Sequence, residues 1–297
     1  MYTTFGLSIP ASAGPHDDPV AEAVRAERLG FDFVSTSDHP CGTDPTFETW
    51  TLLTWIAAAT SRISIATRVL GVPYRPPAMV AKMAESLHRL SGGRLILGLG
   101  GGYSDAEFRA FGLPVPSARE KVDGLEEAVR IARGLWSQRS FTFQGELYQV
   151  EAADLEPKPV RPIPIWMGTF GPRALELTGR LADGWIPSLG FAPPERAAGM
   201  RERVLASAEA AGRDPAELTC AYHLRVYVGE GHDLGPGGVA GPPEAVAERL
   251  AGFARLGFRT LSLAPEDPEG PEGADARTRQ AERLAGEVIP LVRAMLS

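Results

Sequence analysis

The sequence predicts a (β/α)8 TIM barrel, in which eight parallel strands alternate with eight helices and close into a ring. Three observations predict this fold. Short apolar runs alternate with longer amphipathic runs eight times along 297 residues. The stretches between the apolar runs are long enough for the helix that a parallel crossover requires. One such barrel typically occupies about 250 residues. We therefore expect a single domain over residues 1–297.

The first half of the chain contains four strand–helix units. In the first predicted helix, Val20, Ala23 and Ala26 lie on one apolar stripe at helical spacing, and Gly30 ends the helix. Pro77 stands near the start of the third helix, where proline is tolerated. The predicted strands are Phe5–Pro10, Phe31–Thr36, Ile63–Leu70 and Arg94–Gly98, and the predicted helices are Asp17–Gly30, Thr46–Thr60, Pro77–Leu90 and Ala118–Trp136.

The second half repeats this pattern, with two interruptions. Ser140–Leu155, before the fifth strand, contains FTFQGELYQV and predicts a β-hairpin insertion with Gln144-Gly145 at its turn. Gly229–Pro243 contains six glycines and three prolines and predicts a flexible loop. The remaining predicted strands are Ile163–Gly168, Trp185–Ser188, Leu218–Val228 and Thr260–Ala264, and the helices are Pro172–Ala182, Pro194–Ala211, Pro243–Leu256 and Ala276–Met295.

The composition argues against several classes of function. The two cysteines, Cys41 and Cys220, have no metal-ligand spacing, so we expect neither a disulfide scaffold nor a metal site. The formal net charge is −7 and Lys and Arg do not cluster, so we expect no nucleic-acid partner. No run of 18 apolar residues occurs, and Met1–Ala11 lacks the features of a signal peptide. We therefore expect a cytoplasmic protein with a small-molecule substrate and no membrane contact.

The strand ends direct the search for a site, because parallel barrels place active sites at the carboxyl ends of their strands. Asp38-His39, after the second strand, is the sharpest candidate. A histidine exchanges a proton near neutral pH, and a neighbouring carboxylate can orient polar groups or raise its basicity. The alternative is a turn, since Ser-Asp-His-Pro is also a good capping sequence. The same rule selects Ser8–Pro10, Arg68–Leu70, Gly100–Tyr103, Gly168–Gly171 and Ser188.

Two glycine-rich segments are candidates for close contact with a ligand. Gly98–Gly102 lets a ligand reach the backbone, because few side chains intervene. Gly168–Arg173 brings free amides and the Thr169 hydroxyl to a predicted helix N-terminus, where an anion such as phosphate is favoured. Arg173 either adds a positive charge there or is simply exposed to solvent.

The other histidines carry weaker signals. We expect His88, on a helix, and His16 and His232, in loops, to lie at the surface. His223 lies within the seventh predicted strand, and the sequence leaves open whether it belongs to the core or to a pocket.

Four segments, which together span nearly the whole chain in the right order, carry a resemblance to a known family. The sequence resembles the luciferase-like monooxygenase family, and within it is most similar to the oxidoreductases that use the deazaflavin coenzyme F-420. The four segments are AERLGFDFVSTSDHP (26–40), ATRVLGVPYRPPAMVAKMAESLHRLSGGRLILGLGGGYSDAEFRAFG (66–112), PIWMGTFGPRALELTGRLADGWIP (164–187) and GPPEAVAERLAGFARLGFRTLSLAP (241–265).

The resemblance implies a deazaflavin or flavin ring across the mouth of the barrel. Asp38 and His39 match the family's Asp-His pair beside the ring. Arg68-Val69 matches a bulge with a non-proline cis peptide that packs behind the ring. The other implied cofactor contacts are Gly101 and Gly102 at the ring and ribityl chain, and Gly168, Thr169, Phe170 and Gly171 on the phosphate side. The resemblance also implies a homodimer.

The chain departs from the family pattern at three places. Tyr103 stands where the family's sugar-phosphate and alcohol dehydrogenases carry a glutamate, and Cys41–Asp44 replaces a segment with their tryptophan. Because those residues supply the acid and a cation-stabilising contact for oxidising an alcohol, their absence argues against that subgroup. The third departure is Arg68, where the bulge usually carries glycine or serine.

The leading hypothesis is hydride transfer between F-420 and a small organic substrate, with His39, Asp38 and Tyr103 as candidate catalytic residues. A reductase of an activated double bond, an imine or a carbonyl fits these departures better than an alcohol dehydrogenase. The alternative is an FMN-dependent two-component monooxygenase that uses oxygen and a separate cofactor reductase. A barrel lyase or isomerase without redox chemistry and a non-catalytic cofactor carrier are further alternatives. We expect the substrate pocket to be shaped by the loops Ser104–Ser117, Leu189–Pro193 and Gly229–Pro243.

Overall fold

The computed structural model describes residues 3–266 and 274–297. Eight strands form a closed parallel barrel, in which each strand pairs with the next along the chain and the eighth pairs with the first. This arrangement confirms the predicted fold class. The barrel strands, numbered β1 to β8 in chain order, are Thr4–Ser8, Phe33–Thr36, Ser64–Thr67, Leu95–Gly100, Ile165–Met167, Gly184–Trp185, Thr219–Val228 and Thr260–Pro265.

Helices connect the strands and begin and end at residues that the sequence marks. The Asp18 side chain accepts a hydrogen bond from the Ala21 amide at 2.9 Å, and Gly30 ends the first helix with a φ of 86°. The predicted helix Ala276–Met295 is interrupted by a π-helical segment, Leu284–Val288. None of the helices in the described ranges combines the length and apolar composition needed to cross a bilayer. The helices, α1 to α10, are Pro19–Leu29, Thr49–Ala59, Pro77–Leu90, Asp105–Ala110, Ala118–Ser137, Pro172–Leu181, Pro194–Ala210, Pro243–Arg255, Ala274–Arg283 and Ile289–Leu296.

Large side chains fill the barrel interior. The rings of Phe33 on β2 and Trp166 on β5 meet edge to face, with centroids 5.7 Å apart. Two glycines make room for them: an added Cβ would lie 2.3 Å from the Phe33 ring at Gly6 and 2.4 Å from the Trp166 ring at Gly184. Val69, which follows β3, packs against this cluster. The barrel interior is therefore filled with side chains. These side chains form the floor beneath an open site.

The segment before β5 forms two short antiparallel strands. Phe141–Gln144 pairs with Gln149–Ala153, and residues 145–148 connect them. The Glu127 carboxylate on α5 accepts the amide hydrogens of Glu146 and Tyr148 at 2.7 and 2.8 Å. This carboxylate binds the connecting loop to the barrel's helical layer, because it satisfies amides that the turn itself leaves unpaired.

The prediction of a flexible loop over Gly229–Pro243 was wrong for part of that segment. Gly235–Gly237 forms a 3-10 turn, and Gly238–Gly241 forms a strand parallel to the end of β7. β7 extends beyond the residues that pair with β6, so its edge offers backbone groups that a new strand can satisfy. Arg225 on β7 also donates a hydrogen bond to the Leu234 carbonyl. The glycine content of a segment does not show whether a neighbouring strand edge is available.

Candidate active site

A cavity of about 310 Å³ opens at the carboxyl ends of the barrel strands. Ligand pockets in proteins typically measure about 300–1,000 Å³, so this cavity has room for a small molecule. The loops that follow β2, β4 and β5 meet around it, although they are far apart in sequence. Of the predicted site residues, the cavity is lined by Asp38, His39, Arg68, Val69, Gly101, Gly102, Tyr103, Gly168 and Phe170.

Asp38 is buried and fully engaged by the segment that follows β3. Its carboxylate accepts hydrogen bonds from the Gly71 amide at 2.9 Å and from Nη1 and Nη2 of Arg75 at 2.9 and 3.0 Å. Burial alone would lower the pKa of Arg75, but its hydrogen bonds and attraction to Asp38 and Glu48 raise that pKa above its ordinary value. Asp38 therefore anchors the segment beside the cavity, and a different carboxylate contacts the histidine.

His39 belongs to a hydrogen-bonded chain of three side chains. Its Nδ1 lies 3.0 Å from Oε1 of Glu107, whose Oε2 accepts the Tyr74 hydroxyl hydrogen at 2.7 Å. Burial and the bond to Glu107 raise the pKa of Tyr74 well above its usual value, so Tyr74 remains a donor. A carboxylate beside Nδ1 favours the proton on that nitrogen in the neutral ring. Nε2 is then the nitrogen left to exchange a proton with a bound molecule.

Glu107 and Tyr74 were not among the residues selected from the sequence. Glu107 lies on α4, a short helix inside the segment Ser104–Ser117 that was treated as a loop. The Ser104 hydroxyl accepts the Glu107 amide hydrogen at 3.3 Å, and the Tyr74 ring packs against Phe108 with centroids 4.9 Å apart. The Ser-x-x-Glu spacing is a recognised helix start. It could have placed Glu107 on a first helical turn directly after the glycine run.

The glycines of the cavity wall are required because neighbouring protein atoms leave no room for a side chain at their positions. The Arg68–Val69 peptide is cis, as the resemblance implies. A Cβ added at Gly100 or Gly168 would lie 2.7 or 3.0 Å from the Val69 side chain. One added at Gly101 would lie 2.9 Å from the Lys121 carbonyl oxygen. A side chain at any of these positions would clash with Val69 or Lys121. Only glycine fits, so the backbone itself faces the cavity.

A cation lies on the β1 and β7 side of the cavity. The Arg68 side chain reaches Ser8 at the end of β1, where Nη2 donates to the hydroxyl oxygen at 3.1 Å. Burial lowers the pKa of Arg68 to about 10, so the guanidinium is still charged at neutral pH. Burial, and then the nearby Arg68 charge, lower the pKa of His223 well below its usual value. Nδ1 of His223 lies 3.3 Å from the Ser262 hydroxyl oxygen. His223, left open by the sequence, is thus a buried neutral residue beside the site.

Aromatic side chains form a lip at the cavity mouth. The rings of Tyr103 and Phe191 meet edge to face with centroids 5.8 Å apart, and Phe170 lies 5.4 Å from Phe191. All three line the cavity, although Tyr103 is 74% exposed and Phe191 is 52% exposed. Large exposed rings beside a pocket are typical of surfaces that cover a bound molecule.

The loop after β5 contributes less than the sequence suggested. The Thr169 side chain is buried, and its hydroxyl lies 2.7 Å from the Thr178 hydroxyl, so its contact with an anion stays a prediction. Gly171 is exposed and caps α6, and Arg173 pairs with Asp123 on α5. The side chain of Thr169 is directed inward because Thr178 offers it a partner on the inner face of α6.

Two expectations about the other histidines were wrong. His88 is buried, because it lies four residues after Ala84 on the inner face of α3, and burial lowers its pKa. His232 is half-buried and meets the Tyr227 ring edge to face, with centroids 4.9 Å apart. His16 is exposed, as expected.

The fold and this cavity define a TIM-barrel protein with an open cavity, large enough for a small molecule, at the carboxyl ends of its strands. The chain belongs to the luciferase-like monooxygenase family, whose model matches residues 2–234. This match confirms the resemblance seen in the sequence.

Relatives within this family are named as F-420-dependent enzymes. An F-420-dependent glucose-6-phosphate dehydrogenase of Kribbella flavida is 30% identical over 97% of this chain and 83% of its own length. One of Kineococcus radiotolerans is 39% identical over 57% of this chain, and the match spans about half (51%) of that relative's length. An F-420-dependent secondary alcohol dehydrogenase, solved with an F-420–acetone adduct, superposes with a TM-score of 0.87 at 21% identity over 99% of this chain and 100% of its own. At that identity the superposition shows the shared fold.

Proposed function

We propose that this chain is an oxidoreductase that transfers a hydride between coenzyme F-420 and a small organic substrate. The observation that carries the proposal is the meeting of three family segments around one cavity at the barrel mouth. Membership of the family and the F-420-dependent relatives support the choice of cofactor.

The residues present fit a planar ring. Val69 and Ile186 offer an apolar floor, and Gly100–Gly102 offers a wall of backbone without side chains. Phe170 and Phe191 stand at the open edge and can shield a ring from water. When bound, the coenzyme supplies the hydride chemistry, which no amino-acid side chain can provide. The protein supplies binding, orientation and a sheltered pocket.

His39 holds or moves the proton that accompanies hydride transfer. Glu107 holds the ring through Nδ1, so Nε2 can donate a proton to, or accept one from, a substrate atom. Tyr74 orients Glu107 in turn, so the histidine is positioned by a chain that ends in a half-buried ring packed against Phe108. This assignment makes His39 the catalytic residue and Glu107 and Tyr74 positioning residues.

Asp38 acts by holding the backbone of the segment after β3 in place. Its bonds to Gly71 and Arg75 hold the chain that follows Val69, and so they hold the apolar floor of the cavity. Asp38 is therefore proposed as a positioning residue of the cofactor site. Tyr103 covers the open side of the cavity rather than acting as an acid, because it is 74% exposed and packs against Phe191.

The proposed reaction is reduction of an activated double bond, an imine or a carbonyl. Tyr103 occupies the position where the family's alcohol dehydrogenases carry an acidic side chain. In this chain the nearest carboxylate to His39, Glu107, is already bound to both His39 and Tyr74. One proton-carrying residue suffices for such a reduction, since the substrate takes up one hydride and one proton.

The proposal extends to assembly and location. Residues 1–297 would act as one domain, in a cytoplasmic homodimer. Trp55 on α2 and Met79 and Leu90 on α3 are 69%, 55% and 82% exposed, and covering such side chains with a second copy of the chain would stabilise a dimer. Light scattering at micromolar concentration tests this part: a mass of one chain would contradict the homodimer.

The alternative is an FMN-dependent monooxygenase supplied by a separate cofactor reductase, and the family's name favours the monooxygenase part of this alternative. Titration of the purified chain with F-420 and with FMN, followed by cofactor fluorescence, separates the two. We expect F-420 to bind at least tenfold more tightly than FMN. Tight binding of FMN with none of F-420 would overturn the proposed cofactor. Binding of F-420 without turnover of any alkene, imine or carbonyl would instead indicate a cofactor carrier.

A further inference from the structure

Arg68 lines the cavity and leaves most of its hydrogen-bonding capacity unused. A guanidinium has five N–H donors. One of those of Arg68 reaches the Ser8 hydroxyl at 3.1 Å, while its buried Nε has no partner. Within residues 3–266 and 274–297, no carboxylate forms an ion pair with it. The charge is thus sheltered without a counterion.

Three other sheltered arginines of the same chain, in contrast, have their guanidinium groups paired within the protein. Arg94 donates to four backbone carbonyls and one hydroxyl. Arg75 and Arg277 each bind two carboxylates. A sheltered charge without a partner is destabilising, and natural proteins usually pair it. The buried Nε of Arg201 also lacks a hydrogen-bond partner, but Arg201 does not line the cavity. Arg68 is therefore the arginine to which a bound molecule can supply the missing partner.

The surroundings of Arg68 favour an anion over any other partner. Arg68 shares the cavity lining with Val69 and Ile186, whose side chains offer no polar atoms. His223 stays uncharged beside it, so it neither competes for an anion nor repels one. An arginine fork in an apolar pocket binds carboxylate or phosphate oxygens through paired, charge-assisted hydrogen bonds.

We propose that Arg68 binds an anionic oxygen group, a carboxylate or a phosphate, on a molecule held in the cavity. This inference rests on the proposed function, because it takes the cavity as the place where cofactor and substrate meet. The group belongs either to the substrate, which would then be an organic acid or phosphate, or to the cofactor. Both sources present the same chemistry to the guanidinium.

Calorimetric titration with benzoate, its neutral isostere benzamide and inorganic phosphate tests the inference, with and without F-420. We expect the wild type to bind benzoate or phosphate at least tenfold more tightly than benzamide. Arg68→Met should abolish this preference and Arg68→Lys should keep part of it. Arg203→Met, which removes an equal charge from the exposed surface of α7, should leave it unchanged.

The two sources of the anion give different results. If the substrate carries it, Arg68→Met loses the preference for anions and still binds F-420 normally. If the cofactor carries it, Arg68→Met binds F-420 at least tenfold more weakly. Equal binding of every probe by the wild type and Arg68→Met would overturn the inference. Should Arg68→Met fail to fold, equal affinities of the wild type and Arg68→Lys for every probe, together with no preference for anions, would do the same. If the wild type prefers anions but does not bind F-420, the result would contradict the proposed function and leave this inference standing.

Discussion

The two sides of the cavity differ in how completely their polar groups are paired. On the β2 side, Asp38 accepts three hydrogen bonds, and both oxygens of Glu107 are engaged by His39 and Tyr74. On the β1 and β7 side, Arg68 uses one contact to Ser8, and its Nε has none. The two carboxylates on the β2 side are paired without a ligand, whereas the guanidinium on the other side is largely unpaired.

This difference separates two tasks. A satisfied network holds its members in fixed positions, which is what a proton-transferring residue and a cofactor floor require. An unsatisfied charge gains most when a ligand supplies the missing partner, which is what recognition requires. Substitutions on the β2 side should therefore affect stability and turnover, whereas substitutions on the other side should affect affinity and the response to pH.

The largest effect on stability is expected for Asp38→Ala. The substitution leaves Arg75 with Glu48 as its remaining carboxylate and removes the acceptor of the Gly71 amide, so we expect a loss of about 1–3 kcal/mol in the free energy of unfolding. Urea unfolding measures it. Glu248→Ala, which breaks an exposed pair with Arg255, is the control and should cost about 0–1 kcal/mol. Equal losses in both variants would show that Asp38 is not an anchor.

Asp38 and His39 also illustrate how far the sequence could lead. The eight strand–helix units were predictable, because each apolar run must be covered by the amphipathic run that follows. The strand-end rule then selected both residues. Their partners were not predictable from position alone: Arg75 and Glu107 belong to other segments, 37 and 68 residues away along the chain. The turn of the Thr169 hydroxyl towards Thr178 depends in the same way on helix packing.

Arg68 marks a second limit of sequence reasoning. Its place after β3 was evident, and its departure from the glycine or serine of related chains was visible. Whether a charge is paired depends on every side chain that surrounds it. Only the assembled barrel brings Ser8 and His223 close to Arg68, and among the residues that the structure describes no carboxylate pairs with the guanidinium.

The next effect concerns turnover. His39→Ala should lower kcat by about 10²–10⁴-fold, because it removes the group that carries the proton. His39 is half exposed, so the same variant should unfold at nearly the wild-type urea concentration. Steady-state kinetics with reduced F-420 measures the first quantity and urea titration the second. Turnover that persists at the wild-type rate would remove His39 from the mechanism.

The smallest effect is a response to pH on the Arg68 side. The pKa of His223 is lowered on folding. Below about pH 6.5, His223 is therefore protonated in the unfolded chain and remains neutral in the folded chain. Stability is therefore complete above that pH and falls as the pH drops, by up to about 1.4 kcal/mol per pH unit for this group. His223→Gln should flatten the difference between pH 7.5 and pH 5 in urea unfolding. Identical pH profiles for the two proteins would show that His223 titrates normally.

The central claim is that the three loops form one site for a deazaflavin ring. Ser188→Trp tests it most directly, because Ser188 lines the cavity and a tryptophan there should fill it. Ser137→Trp, on the exposed end of α5, is the matched control. We expect F-420 affinity, measured by fluorescence titration, to fall at least 100-fold in the first variant and to stay unchanged in the second. Undiminished F-420 binding by a folded Ser188→Trp protein would contradict the account.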